Sequence, residues 1–273
     1  MKLSVINPDP TIAVVANIPH SSSFIPTHIR NQFVISDEDL QEENRQLVDW
    51  FTDDLYSPIV RSGGCALQHN VSRFVLDPER FEDDALECMA ARGMGAIYTH
   101  GCSRQRIRRD LTSQERELLL NEFYRPYHAE MLSLVSKSIE KFGHCVLIDC
   151  HSYPDKPLPY EIDGESERPD FVLGTDPHHT PKWIADTIGS LAQEAGYSFG
   201  LNRPFAGTIV PLPLYKDPRV TSFMVEINRK TYMNEEATTR AAGFSKMQTL
   251  IGVIVGALQQ RGSSPATSVL RGT

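Results

Sequence analysis

A chain of 273 residues with 40% hydrophobic content is long enough to bury a sizeable core and fits one large domain better than two. Its 35 acidic against 27 basic residues, a formal charge of -8, deny it the concentrated basic field that nucleic acid or an anionic membrane surface demands. The five cysteines (Cys65, Cys88, Cys102, Cys145, Cys150) are odd in number and form no CxxC pair, which excludes a disulfide framework or a zinc knuckle and points to the reducing cytoplasm.

After Lys2 comes only a short apolar run broken by Asn7, Pro8 and Asp9, neither a signal peptide nor a spanning helix. Residues 12–18, short, apolar and β-branched, predict a buried strand stopped by Pro19, with His20 just past its end. Ser36 is a plausible N-cap for a helix whose first turn holds Asp37, Glu38 and Asp39. Apolar residues then recur at helical spacing through Leu47, Trp50, Phe51, Leu55 and Tyr56, so Asp49 and Asp53 share one face about a turn apart. Past the Gly63-Gly64 turn, Cys65-Ala66-Leu67 and 71–76 predict one or two more strands.

Residues 112–141 read as helical, started by Thr112-Ser113-Gln114-Glu115, stopped by Gly143 and kinked near Tyr124 by Pro126. A buried strand over 145–148 runs directly into Asp149-Cys150-His151-Ser152. The Pro-rich, acidic stretch 153–170 reads as a long loop with a functional or lid role, followed by a short strand at 171–174 and an amphipathic helix over 181–195. Residues 221–227 form another buried strand with Glu226 near its end, a last helix runs over about 235–260, and the tail 263–273 is flexible, leaving 1–262 as the folded domain. Strands alternating with helices predict an α/β fold, a mostly parallel central sheet with helices on both faces.

Such sheets bind ligands beyond the carboxyl ends of their strands. Here those ends carry His20, then Asp149 and His151, then Glu226. Two histidines and a carboxylate around zinc, with a fourth position left to water, make a catalytic arrangement, and a second carboxylate nearby can take the water's proton. The plainer alternatives are loop histidines satisfied by backbone groups and a Glu226 paired with Arg229. Asp149 is either a ligand or, two residues from His151, the group that orients a ligand histidine. The arginine run Arg104, Arg106, Arg108 and Arg109 reads as a solvated face balanced by Asp110 and Glu115, and His178-His179 as surface residues of a helix-entry loop.

Five ordered motifs then carry a resemblance: Pro19-His20-Ser21-Ser22 with Ile25-Pro26; Asn70-Val71-Ser72-Arg73-Phe74-Val75-Leu76-Asp77 with Arg80; Tyr124-Arg125-Pro126-Tyr127-His128; Ile148-Asp149-Cys150-His151-Ser152; and Val225-Glu226-Ile227-Asn228. Together, over roughly residues 12–235, they resemble the N-formylglutamate amidohydrolase family. The resemblance implies a zinc-carboxypeptidase-like (phosphorylase/hydrolase-like) fold and one divalent metal ion, Zn2+, held by His20, an acidic residue on the first helix and His151. Ser23 stands where the carboxypeptidase pattern has its acidic ligand, and Asp49 matches the family's aspartate, with Asp53 the alternative.

Glu226 matches the late glutamate that resembles the carboxypeptidase general base. Arg73 first and Arg80 second, flanking Asp77, offer planar forks for a substrate carboxylate or simply pair with Asp77. His128 is a substrate donor or a helix cap. Gly207, in the segment 202–208, lets the backbone approach a ligand. Members specific for formylglutamate tend to carry a double glycine and then an arginine there, whereas this chain has Ala206-Gly207 followed by Ile209-Val210-Pro211. The implied activity is metal-dependent hydrolysis of the amide bond of a small acidic N-acyl amino acid resembling N-formylglutamate, and the missing arginine opens the substrate's identity. A carboxypeptidase-like peptidase acting on small peptides, and a binding protein that kept the fold but lost the chemistry, are the rival readings.

Overall fold

Apolar runs with period-two alternation assemble into one seven-stranded sheet of order β1-β3-β2-β4-β7-β5-β6. The computed structural model describes residues 2–161 and 168–262, so the expected flexible tail lies outside the described residues, as do six residues of the long acidic loop. The strands are β1 (Leu3–Ile6), β2 (Val14–Ile18), β3 (Cys65–His69), β4 (Cys145–Tyr153), β5 (Phe171–Thr175), β6 (Phe199–Leu201) and β7 (Val220–Asn228). Only β1 on β3 and β5 on β7 pair antiparallel, and the central β3-β2-β4-β7 ladder is parallel. A small hairpin of β8 (Met233–Asn234) and β9 (Thr239–Arg240) stands apart.

Helices cover both faces, as the alternation of strand and helix signals implies. In chain order they are α1 (Thr27–Arg30), α2 (Asp37–Leu47), α3 (Thr52–Leu55), α4 (Ser57–Arg61), α5 (Ser113–Leu119), α6 (Arg125–Phe142), α7 (Lys182–Glu194) and α8 (Phe244–Gly262). On one face Ala16, Ile148, Phe223 and Val225 pack with Ile59 of α4, Ile188 of α7 and the α8 stripe Met247, Ile251, Ile254 and Leu258. On the other, Val15, Leu67 and Leu147 pack under the α6 stripe Tyr127, Met131, Leu134 and Val135. A third apolar cluster, including Leu40, Leu47, Phe74, Tyr98 and Phe123, joins α2 to the long segment between β3 and α5.

Several expectations are corrected. The helix predicted from Ser36 to Tyr56 ends at Leu47, since Val48 is extended, Asp49 donates its N–H to the His20 carbonyl at 2.9 Å, and Phe51 sits at φ 64. The apolar spacing continues because α3 and α4 also bury one side, not because one helix persists. Residues 71–76 are turns rather than a strand: Val75 N–H bonds back to Ser72 O, and the run is apolar because it fills the third cluster. The last helix begins at Phe244, after the β8-β9 hairpin.

Arg108 leaves the solvated face altogether; it is fully buried over the Phe33 ring, although Arg106 and Arg109 pair with Asp110 and Glu115 as expected. His179 is likewise buried, its Nδ1 2.9 Å from Val220 O and its Nε2 accepting the Lys216 N–H. The Pro126 kink takes the form of a π turn, Leu120–Tyr124, between α5 and α6; a proline lacks the N–H for a regular turn. Thr112 and Glu115 form the capping box, and Gly143 ends α6 at φ 81.

Candidate metal centre

Alternation along the central strands positions the polar side chains. In β4, Ile148 and Cys150 face α7 and α8, so Leu147, Asp149 and His151 face the α6 side. The register sets Asn17 of β2 beside Asp149 and Glu226 of β7 beside His151. Along that face apolar residues give way to polar ones toward the strands' carboxyl ends. Pro19 stops β2, and the following His20 turns in over the same place, while the break after α2 brings Asp49 to it from another direction. Asp149 and His151 lie within β4, which runs on to Tyr153, rather than beyond its end.

Three ligand atoms converge. His20 Nδ1 and His151 Nδ1 are 3.3 Å apart, and Asp49 Oδ2 lies 3.7 Å from the first and 3.3 Å from the second. All three residues are buried. The outer nitrogen of each imidazole meets its own carboxylate: His20 Nε2 is 2.8 Å from Asp77 Oδ1, and His151 Nε2 is 2.9 Å from Asp149 Oδ1. Such partners direct the inner nitrogens as lone-pair donors. Asp49 is itself steered by the Ser152 N–H at 3.2 Å and by Arg229 Nη2, 3.3 Å from its other oxygen. Two inward imidazole nitrogens and a carboxylate oxygen, all within 3.7 Å of one another, fit a divalent cation. Asp53, the alternative ligand, is exposed and outside this group.

Glu226 is buried beside this group, and its Oε2 has no hydrogen-bond partner. Burial pushes its carboxyl up to about 8, against the pull of His151. Against the desolvation of its own burial, Arg73 and His20 hold the Asp77 carboxyl well below the usual carboxylate range. Arg73 is committed to that role, its Nη2 2.8 Å and its Nε 3.2 Å from Asp77 Oδ2, which also accepts the Tyr98 hydroxyl at 2.6 Å. Arg80 is held more loosely, 3.8 Å from both Asp77 and Glu87, with its buried Nε unpartnered. His128 Nε2 donates to the Pro78 carbonyl at 2.9 Å and its ring lies against Tyr124, so it braces the segment carrying Arg80. Gly207 stands at φ 92 with open space around it, so the turn of the backbone, not a close approach, requires a glycine.

His20, Asp49, Arg73, Arg80, His128, Asp149, His151, Gly207 and Glu226 line one cleft of about 1410 Å³. Glu79, absent from the sequence expectations, lines it too. Asn17 Nδ2 donates to Glu79 Oε1 at 2.6 Å and to Asp149 Oδ1 at 2.9 Å, and burial, followed by the charge of Asp149, pushes Glu79 up to about 8. Arg229, weighed above as a mate for Glu226, pairs instead with Asp49. The signal was present in neither case: Glu79 sits in irregular backbone, and Arg229 follows a strand whose own glutamate seemed its natural mate.

The model of the N-formylglutamate amidohydrolase family matches residues 12–233. N-formylglutamate deformylase of Pseudomonas putida is 29% identical over 232 residues, 82% of this chain and 83% of that protein; the Pseudomonas aeruginosa enzyme of the same name is 30% identical over 216 residues, 74% and 77%. The crystal structure of N-formylglutamate amidohydrolase from Ralstonia eutropha JMP134 superposes with a TM-score of 0.82 at 26% identity, covering 96% of this chain and 99% of that one. A gene product of Agrobacterium tumefaciens shares the fold, with a TM-score of 0.69 at 19% identity over 94% and 96% of the two chains. The matched span holds every residue of the convergent centre from His20 to Glu226, and the chain belongs to the N-formylglutamate amidohydrolase family.

Proposed function

We propose that this chain is a metal-dependent amidohydrolase that cleaves the amide bond of an N-formyl or other N-acyl amino acid resembling N-formylglutamate, releasing a carboxylic acid and a free amine. His20, Asp49 and His151 would hold one divalent cation, zinc by the nature of the donors. Bound there, such an ion lowers the pKa of a coordinated water and polarises an amide carbonyl. Glu226 takes a proton from the attacking water on its unpartnered oxygen and delivers it to the leaving nitrogen. Asp77 and Asp149 keep the two imidazoles oriented. Arg80, which lines the cleft and lies no closer than 3.8 Å to Asp77 or Glu87, receives the substrate carboxylate, while Arg73 holds Asp77 in place. Five cysteines free of disulfides suit a cytoplasmic setting, and among the described residues no helix is long and apolar enough to cross a membrane.

The observation that carries this reading is the convergence of His20, Asp49 and His151 beside a glutamate with an unpartnered oxygen. It is tested by elemental analysis of purified protein together with release of the free amino acid from N-formylglutamate and a panel of N-acyl amino acids. About one ion per chain is expected in wild type. Glu226→Gln should retain the ion while kcat falls by about 10²–10⁴. Undiminished turnover in that variant would remove Glu226 from the chemistry; a protein that binds no ion and gains no activity with added zinc would end the proposal.

A further inference from the structure

We propose that the cleft beside the metal centre selects amphipathic N-acyl amino acids, carrying an extended apolar group as well as a carboxylate, in preference to formylated acidic amino acids. This rests on the amidohydrolase reading and names its substrate class. The cleft is about 1410 Å³, whereas sites for drug-sized ligands run to roughly 300–1000 Å³ and a formylated amino acid is smaller still. Of the ten exposed large apolar side chains among the described residues, four line this cleft: Phe81, Leu86, Leu212 and Tyr215. Leu212 is 78% exposed and Leu86 68%, more than any other of the ten.

They form two walls rather than a scatter. Phe81 follows directly on Arg80 and Leu86 comes five residues after Phe81, with Glu82 and Asp83 also lining the cleft between them; Leu212 and Tyr215 belong to the segment 204–215, in which no side chain is charged. That second wall is anchored to the site: Ile209 N–H reaches Asp149 Oδ2 at 3.3 Å, and the Ser222 hydroxyl of β7 donates to the Ile209 carbonyl at 2.8 Å. An apolar face held in a fixed position next to polar chemistry gains from burying methylene groups, and it offers nothing to a second carboxylate. Arg80 supplies a cationic partner beside the first wall, while Arg125, which also lines the cleft, is engaged by Glu82 and Glu117. A ligand with one carboxylate and one apolar arm matches both features.

The test uses zinc-reconstituted wild-type protein and two series: N-acyl glycines from formyl to octanoyl, and N-formyl amino acids from alanine to norleucine, each compared with N-formylglutamate by kcat/KM. Calorimetric binding of N-alkylsulfonyl glycines, which hydrolysis does not consume, supplies a readout independent of turnover. The expected result is a gain of roughly fourfold per added methylene over the first few members of at least one series and of the sulfonamides. Leu212→Ser and Phe81→Ser should flatten that slope. N-formylglutamate as the best substrate, with both series falling and sulfonamide affinity flat, overturns the inference and leaves the hydrolase intact. Sulfonamides that gain affinity while no amide is cleaved support the apolar cleft and sink the hydrolase; flat affinity with no cleavage sinks both.

Discussion

Glu226 combines burial, an oxygen without a partner and a carboxyl pushed up to about 8 by desolvation. A group so placed is poised to move protons near neutrality, and it destabilises the fold that holds it. Its folded-state value lies above the ordinary 4.5, so its contribution to stability is intact below about 4.5 and is lost as pH rises through about 8. In chelator-treated protein, the stability of wild type relative to Glu226→Gln should therefore decline by up to about 1.4 kcal/mol per pH unit across that window. Urea midpoints from pH 5 to 8 measure it; a constant difference would mean that the carboxyl ionises normally. The two arginines separate by the same kind of accounting. Removing Arg73 strands the fully buried Asp77, at a cost of about 3–5 kcal/mol, so Arg73→Ala should unfold at markedly lower denaturant. Arg80→Ala should instead raise KM for carboxylate substrates with a smaller loss of stability. Equal effects of the two substitutions on both quantities would refute this division.

Strand periodicity made much of the centre legible at the level of elements. Asp149 and His151, two apart in one strand, must share a face, and Glu226 comes beside them once β4 and β7 pair. Asp49 is legible only through the family resemblance, and the helix expected around it does not form: its apolar spacing is that of three successive short burials, and spacing alone does not separate these from one long helix. The turns over 71–79 were hidden for a related reason, because apolar residues in irregular backbone look like a strand when they fill a core. The loop 204–215 depends on another contact no pattern displays. A Cβ on Gly174 of β5 would come within 2.3 Å of the Gly207 carbonyl and 2.6 Å of Met224. Gly174→Ala should push that loop off the sheet, destabilise the fold by about 1–3 kcal/mol and raise KM. An unchanged Tm together with an unchanged KM would show that the loop is not held by this approach.

At the scale of the whole molecule, the centre draws on parts of the chain that are far apart in sequence: His20 after β2, Asp49 after α2, His151 in β4 and Glu226 in β7. Asp49, Asp77, Asp149, Glu79 and Glu226 crowd around two imidazoles and the guanidinium groups of Arg73 and Arg229, an acidic concentration that a bound cation would relieve. Binding to the folded chain alone links metal occupancy to global stability by mass action, about 4 kcal/mol when free ion stands a thousandfold above Kd. For a domain of this size each kcal/mol moves Tm by about 2–4 °C, so zinc added to chelator-treated protein should raise Tm by about 8–16 °C. His151→Ala, which removes one of three ligands, should abolish the rise. Asp53→Ala should leave it untouched, since Asp53 is exposed and outside the convergent group. Protons compete with metal for ligand lone pairs, so the rise should shrink as pH falls. A calorimetric scan in which zinc shifts wild type and His151→Ala alike would mean that the ion stabilises some other part of the molecule, and the convergence of His20, Asp49 and His151 would need another explanation.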